Sequence, residues 1–438
     1  MAVPVSANVS TPERGPVGVA GAYGLSSMGD QMAVVSLTLR LHDQGQSGWV
    51  ISTLVVASVV PVVVVGPFIA PLVDRVESRR LIVIVTALQA LVAGGLAMTS
   101  DVAMTIGLLI LLGVGLALVS PALQLLVPQL SGDEQAARGY ARLKTFRTGG
   151  NIAGPALAGV LVAQVDGRVA LVVNAATFAV MTVAFLLLPV RRAPVSTGRS
   201  GKGWLAQVQQ GIGVLAGDRL LRTAIGTLAC AIIFTAMLNV AQVFFIRDYL
   251  HASDAGYGWL VTAHTAGMLL VSLLLAGRIP LRWQPRVLVG AGCLMGTALF
   301  VSASVPVFTM AMLAFVLTGM ANSLQGLAIR NLIHDRVPPE VRGRAFASSG
   351  AALNGANLTG TALGGPAASL MGGAGALELA GVGTLVASLV AVPVLVRASK
   401  GAIEQTDPAG MEAAEPEHDR CRICRATVVP PLPVSRLP

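Results

Sequence analysis

Apolar residues along the chain are grouped into long runs, and short stretches with charged residues or prolines separate one run from the next. A helix needs about 20 apolar residues to cross the hydrocarbon core of a bilayer, so each run predicts one membrane-spanning helix. Twelve such runs are present: 16–39, 49–73, 81–100, 102–127, 139–164, 168–189, 221–246, 256–278, 286–304, 307–330, 343–371 and 374–396. The pattern therefore predicts an all-α integral membrane protein with twelve transmembrane helices.

Polar stretches divide these runs into two groups. The first six runs occupy residues 16–189, and the last six occupy residues 221–397. Between them, residues 190–220 begin as a Ser/Gly-rich linker and continue as a short amphipathic helix, which we expect in the cytoplasm. Residues 1–15 are predicted to form a cytoplasmic N-terminus, and the polar, Pro-rich residues 398–438 a disordered cytoplasmic tail.

The composition excludes a soluble multidomain protein. Only 12% of the residues are charged, against about a quarter in an ordinary globular domain. Hydrophobic residues make up 54% of the chain, and the mean hydropathy is +0.74. Aromatic residues reach only 4% while glycines number 49, so small residues must bring the helices close together.

The basic residues form short clusters between the apolar runs rather than one patch, so the net charge of +9 does not predict nucleic-acid binding. If both termini lie in the cytoplasm, 27 of the 30 basic residues fall on the inner side. Only Arg40, Arg168 and Arg247 then remain outside. Because cytoplasmic loops carry an excess of Lys and Arg, this bias predicts the orientation as well as the topology.

The second group of runs repeats the first. A shift of 206 residues places 138–159 over 344–365, and eight of the 22 positions are identical, including Gly154 with Gly360 and Gly159 with Gly365. Chance similarity in a Gly/Ala-rich chain is the alternative. The same shift also superposes the predicted spans, as parallel repeats in transporters do. The repeat therefore predicts two six-helix halves.

The loop after the second run reads APLVDRVESRR over residues 70–80. It resembles the cytoplasmic signature of the major facilitator superfamily, although Ala70 stands where the signature has Gly and Pro71 is added. The resemblance implies the twelve-helix major facilitator fold and a latch that stabilises one access state, with the charged residues Asp74, Arg75, Arg79 and Arg80. An ordinary positive-inside loop is the alternative.

The fifth run contains Gly150, Gly154, Pro155 and Gly159. Their spacing resembles the antiporter signature of exporters in this superfamily, with Ala158 in place of one Gly. Glycines four residues apart let a neighbouring helix approach closely, and the proline bends the helix. Generic small-residue packing is the alternative to an export motif.

Residues 337–346 and the segment Ser27–Asp30 resemble the branch that holds enterobactin-exporter-like and macrolide-efflux-like proteins. This resemblance implies a secondary active transporter in a bacterial plasma membrane. We expect it to export a small amphipathic molecule by alternating access with proton antiport, as a monomer without cofactor. The fourth run lacks the embedded arginine found in many proton-linked drug exporters, so coupling through that residue is not implied.

A lipid flippase or another polytopic membrane protein on the same fold is the alternative function. An enzyme should show clustered catalytic groups, but no two of the five histidines adjoin. The P-loop pattern is missing, so ATP is not the direct energy source. His418, Cys421 and Cys424 offer three ligands without a fourth, and we expect no metal site and no catalytic residue there.

Asp30 lies about midway along the first run, and no basic residue is expected at a matching depth as a permanent partner. A charged carboxylate at the bilayer centre costs at least about 2.5–3.5 kcal/mol on insertion scales, so it must face the bundle interior, protonated or paired. We interpret Asp30 as the candidate coupling site. A carboxylate that only accepts hydrogen bonds between helices is the alternative.

Other polar residues within the runs more often bond a neighbouring helix than a substrate. In the superfamily, helices 1, 4, 7 and 10 line the substrate cavity, so polar residues on these helices rank higher. The resulting cavity candidates are Ser27, Gln31, Gln124, Asn239, Gln242, Asn322 and Gln325.

Overall fold

The structure is a computed structural model that describes residues 14–65, 76–131, 135–188, 213–275 and 278–404. These residues are almost entirely helical, and no strand occurs among them. Asp74, Arg75, most of the 190–220 linker and the tail from 405 with its His/Cys cluster lie outside the described residues.

The described residues of the first half form six helices. Their bounds are α1 Arg14–Asp43, α2 Gly48–Val60 with a π-helical turn Pro61–Val65, α3 Ser78–Met98, α4 Val102–Ser131, α5 Ala136–Gln164 and α6 Gly167–Leu187.

The second half has the same number of helical segments in its described residues. Here α7 begins as Arg219–Ala236 and continues through Leu238–Phe244 and the π-helical turn Phe245–Tyr249. The next helices are α8 Asp254–Leu274, α9 Gln284–Ser304 and α10 Phe308–Arg336. The helical stretch Pro339–Glu404 breaks at Gly372, where φ is 73°. A positive φ favours glycine, so this residue separates α11 (339–371) from α12 (373–404).

Eight described helices are long and apolar enough to cross a membrane, and the last of them, 341–393, contains both α11 and α12. The remaining three helices have identifiable reasons for falling outside this set. α1 carries Asp30 and Arg40, the first half of α5 is strongly basic, and the apolar part of α2 is short, Gly48–Val64. Each predicted run coincides with one helix, so the described residues are consistent with twelve spans.

The helices of the two halves pair in the same way. In the first half α1 packs on α5 and α6, α3 packs on α4 and α6, and α2 packs on α4. In the second half α7 packs on α11 and α12, α9 packs on α10 and α12, and α8 packs on α10. Each pairing in one list becomes a pairing in the other when six is added to the helix number, as expected for parallel repeats.

The repeat is also seen in individual close contacts between helix backbones. A Cβ on Gly113 of α4 would lie 3.0 Å from the carbonyl oxygen of Ser58 on α2. A Cβ on Gly319 of α10 would meet the carbonyl oxygen of His264 on α8. Both pairs are related by the 206-residue shift, so the predicted repeat is confirmed in the packing.

The halves also contact each other through equivalent glycines. On α5, a Cβ on Gly159 would lie 3.0 Å from the Cα of Gly258 on α8. On α11, a Cβ on Gly365 would meet the carbonyl oxygen of Gly48 and the Oγ of Ser52 on α2. Gly159 with Gly365 and Ser52 with Gly258 are again 206 residues apart. The interface between the halves is therefore pseudo-symmetric.

Candidate functional site

A cavity of about 450 Å³ lies among α1, α7, α8, α9, α10 and α11, and we call it the central cavity. Gln31 of the first half and Asn239, Gln242, Asn322 and Gln325 of the second half line it. Five of the seven cavity candidates thus come together in one place. Their part in binding stays a prediction.

The lining of the central cavity is polar but uncharged among the described residues. It contains seven side-chain amides, two threonines and one histidine: Gln31, Asn239, Gln242, Asn322, Gln325, Asn354, Asn357, Thr235, Thr265 and His264. Apolar side chains complete it: Leu228, Ile232, Ala236, Leu238, Val261, Met295, Leu299, Phe315 and Leu353, beside Gly326. Such a surface can hydrogen-bond a ligand on one side and cover apolar atoms on the other.

Hydrogen bonds between helices orient three of these polar groups. The Asn239 amide donates to Thr361 Oγ1 at 2.9 Å, and Thr361 stands where the first half has Pro155. The Gln242 amide donates to the Tyr257 hydroxyl at 3.3 Å. His264 Nδ1 lies 3.1 Å from Thr318 Oγ1.

Sequence reasoning missed the contributions of α8, α9 and α11. His264, Thr265, Met295, Asn354 and Asn357 line the central cavity although their helices ranked lower. The signal on α11 was the spacing of its two asparagines, which puts them on the same face of a helix otherwise rich in Gly and Ala.

The two remaining cavity candidates lie elsewhere. Ser27 is buried. Gln124 lines a second cavity, of about 240 Å³, together with Tyr23, Ser120, Tyr140, Leu143, Lys144 and Arg147. In this second cavity the Tyr140 hydroxyl donates to the main-chain carbonyl oxygen of Gln124 at 3.0 Å. The Arg147 guanidinium lies 5.9 Å from the centre of the Tyr23 ring.

Asp30 is half-buried on α1, and the charge of Arg147 on α5 acts on its carboxyl group. Arg147 lies over the Tyr23 ring, about two helical turns along α1 from Asp30, and forms no ion pair with Asp30 within the described residues, so the lack of a basic partner at matching depth stays a prediction. The close packing of α5 against α1 brings together two helices that are distant in the chain. No hydrogen bond to the Asp30 side chain occurs within the described residues.

Each glycine of the α5 motif faces a particular neighbour. Gly150 and Gly154 face α1, where a Cβ on Gly154 would lie 2.7 Å from both the Met28 carbonyl oxygen and the Gln31 Cβ. Gly159 instead faces α8 of the other half, and the carbonyl oxygen of Pro155 lies beside Gly258. The motif therefore joins a helix of its own half and a helix of the opposite half.

Ion pairs join the halves where α1 and α7 end. His42 Nε2 lies 2.9 Å from a carboxylate oxygen of Asp248. Arg247 lies 3.3 Å from Asp43 and 3.2 Å from Asp254. We call these five residues the outer cluster, because the charge pattern predicts this end of the bundle to be extracytoplasmic.

The described residues of the proposed latch do not contact the other half. Arg79 Nε and Nη2 donate to the carbonyl oxygens of Phe185 and Leu186, at 2.9 and 2.6 Å. Phe185 and Leu186 belong to the last turn of α6, whose carbonyl groups lack partners within the helix. Arg79 therefore caps a helix of its own half, while Arg80 is exposed.

Comparison with known proteins agrees with this architecture. The sequence profile of the Major Facilitator Superfamily matches residues 19–245 and 224–428. The chain belongs to this superfamily, and it is a multi-pass membrane transporter.

Similar proteins include two named by function. Macrolide efflux protein A of Streptococcus pyogenes is 24% identical over 337 residues, which cover 74% of this chain and 81% of that protein. The lysophospholipid transporter LplT of Yersinia enterocolitica is 25% identical over 329 residues, covering 74% and 79%. The uncharacterized MFS-type transporter YfiS of Bacillus subtilis is 25% identical over 370 residues, covering 82% and 88%.

Solved structures show the same fold. A bacterial homologue of the human lysosomal transporter Spinster, in an inward-facing and unoccupied conformation, superposes with a TM-score of 0.64 at 16% identity, over 89% of this chain and 96% of that one. The nucleoside transporter NupG superposes with a TM-score of 0.67 at 12% identity, over 88% and 98%. The prediction of a major facilitator fold is therefore confirmed.

Proposed function

We propose that this transporter exports a small amphipathic compound by alternating access, driven by proton antiport. The observation that carries the proposal is the central cavity, which is lined by both hydrogen-bonding and apolar side chains, with Gln31 from the first half and the rest from the second half. Similarity to a macrolide efflux protein and the exporter-like motif on α5 support export as the direction.

The contacts between the halves suit a gate that opens and closes. The outer cluster lies at the ends of α1 and α7, and the Gly159–Gly258 contact lies near the outer ends of α5 and α8. The cavity lining extends towards the opposite end as far as Leu228. With both termini in the cytoplasm of a bacterial cell, this arrangement is an inward-facing state of a plasma-membrane transporter.

We propose Asp30 as the residue that couples protons to substrate. It directly precedes Gln31, which lines the central cavity, and it lies on the helix that α5 contacts most closely. Protonation would weaken the attraction between Asp30 and Arg147 and so change how α1 is held against α5. A shift of α1 would move the Gln31 side chain in the cavity.

Transport by the purified protein in proteoliposomes tests the proposal. The protein is oriented inside-out, so that its cytoplasmic side faces the medium, and the lumen is made acidic. A panel of labelled compounds, including erythromycin and chloramphenicol, is added to the medium. We expect the pH gradient to drive accumulation of at least one compound, and a protonophore to abolish it. Accumulation that ignores the gradient would contradict proton antiport.

A lipid flippase remains the second candidate, because the lysophospholipid transporter is among the similar proteins. A fluorescent lysophospholipid in the same proteoliposomes distinguishes the two functions. Transfer of this lipid without transport of any panel compound would favour the flippase.

A further inference from the structure

We propose that the central cavity selects electrically neutral molecules that carry hydroxyl, carbonyl or amide groups beside an apolar body, and that it disfavours organic cations. This inference rests on the proposed function, because it names the substrate class of the same cavity. The observation behind it is the distribution of charge in and around the cavity lining.

Amides supply most of the polar surface of the central cavity. Each Asn or Gln side chain offers both a carbonyl acceptor and NH₂ donors, so it can match either end of a hydroxyl or amide on a ligand. Asn322 and Asn354 are exposed within the bundle, and neither side chain has a hydrogen-bond partner among the described residues. These two amides are free to bind a ligand.

The cavity provides no charge to pair with an ionised ligand, since no Asp, Glu, Lys or Arg lines it among the described residues. An ion that leaves water for such a site loses hydration without gaining a counter-charge, which is costly. A neutral ligand exchanges hydrogen bonds with water for hydrogen bonds with amides and loses far less.

Positive charges lie beside the cavity. The Arg330 guanidinium lies 3.5 Å from the position that a Cβ on the cavity residue Gly326 would take. Arg330 forms no ion pair within the described residues. Across the bundle, Lys144 and Arg147 line the second cavity. An approaching cation meets repulsion on both sides.

Related compounds of different charge test this selection. One set is chloramphenicol, the amine left when its dichloroacetyl group is removed, and its hemisuccinate. A second set is 4-nitrophenyl glucoside, its 2-amino-2-deoxy analogue and the glucuronide. Dissociation constants are measured by titration calorimetry on the purified full-length protein at pH 6, where both amines are protonated and both acids are ionised, without any gradient. We expect the neutral member to bind at least about tenfold more tightly than either charged member.

A charge-introducing variant identifies the cavity as the origin of the selection. Asn322→Asp keeps the shape of the side chain and places a carboxyl group in the lining, so the preference for the neutral compound over the amine should fall or reverse. Asn331→Asp makes the same change nine residues further along α10, outside the lining, and should leave the preference unchanged. Asn354→Asp on α11 replaces Asn322→Asp if that variant does not fold.

The proposal is overturned if a charged member binds best in either set, if no neutral member binds, or if the lining variants keep the wild-type ratio of affinities between the neutral compound and the amine. These binding results do not depend on proton coupling or on the direction of transport. Selective binding without gradient-driven export would contradict only the proposed function. Export with a preference for cations would contradict only this inference.

Discussion

The two halves of the transporter share their packing but differ in the chemistry of their inner surfaces. Gly113 and Gly319 make equivalent contacts, whereas Asp30 in the first half corresponds to Ala236 in the second. The two cavities correspond at two lining positions, because Ser120 and Arg147 of the second cavity are each 206 residues from Gly326 and Leu353 of the central cavity.

The linings of these two cavities differ in charge. Arg147 lines the cavity of the first half, and its counterpart Leu353 lines the central cavity. Residues at helix contacts are restricted by the backbone opposite them, and both copies keep glycine at the pairs Gly113/Gly319 and Gly159/Gly365. Residues that face open space have no such restriction, so one copy can hold charges while the other becomes a neutral site.

The largest loss of transport is expected when a bulky side chain replaces a glycine at the helix contacts that the two halves share. Gly154→Leu and Gly360→Leu each put a side chain against the backbone of a neighbouring helix, α1 in one half and α7 in the other. Overpacking costs about 1–3 kcal/mol or more, so both variants should lose most transport and much membrane abundance. Immunoblots and proteoliposome transport measure these losses.

The matched controls for this pair are Gly149→Leu and Gly355→Leu, which are equivalent to each other and face open space. They should keep abundance near that of the wild type. Normal export by Gly154→Leu, or a strong defect in only one half, would break the idea that the halves share their packing.

Asp30→Asn should abolish accumulation driven by a pH gradient while it spares downhill exchange. The substitution keeps the shape of the side chain but removes its titration, and the second half has only Ala236 at the equivalent position. Counterflow in proteoliposomes measures exchange, and an imposed gradient measures coupling. If the variant still responds to the gradient like the wild type, the charges of the first half are not the coupling site.

Gly159→Ala should have an intermediate effect, because its added methyl meets the α8 backbone across the interface between the halves, 2.6 Å from the Asp254 carbonyl oxygen. Separation of the outer ends would relieve this contact, so the variant should populate an outward-open state several-fold more. A Val261→Cys reporter in a cysteine-free background, labelled from outside by a membrane-impermeant maleimide, measures the shift. Gly365→Ala should behave alike, and unchanged labelling in both would contradict a pseudo-symmetric gate.

The smallest effect is expected for Asp248→Asn in the outer cluster. Asp248 is more than half exposed, and exposed ion pairs are worth about 0.2–1 kcal/mol, so labelling of the Val261→Cys reporter should rise by less than about fivefold. An increase larger than that of Gly159→Ala would show that ion pairs, rather than glycine contacts, hold the outer end closed.

Much of the fold could be predicted from the sequence because its signals are local. Every predicted run coincides with a helix, and the 206-residue repeat reappears in contacts such as Gly159–Gly258 and Ser52–Gly365. The candidate site was only partly predictable. The amides of α7 and α10 do line the central cavity, but Gln124 lines the other cavity, and Asn354 and Asn357 ranked too low.

The sequence by itself determined the number and order of the helices, the two halves and the small-residue contacts, since hydrophobic run length and glycine spacing are properties of one segment. Only the tertiary structure decided which side chains meet. Arg147 lies over the ring of Tyr23, and Arg79 caps α6 of its own half. Such pairings depend on how each helix is rotated about its axis and which helices become its neighbours, and neither is encoded within a single run.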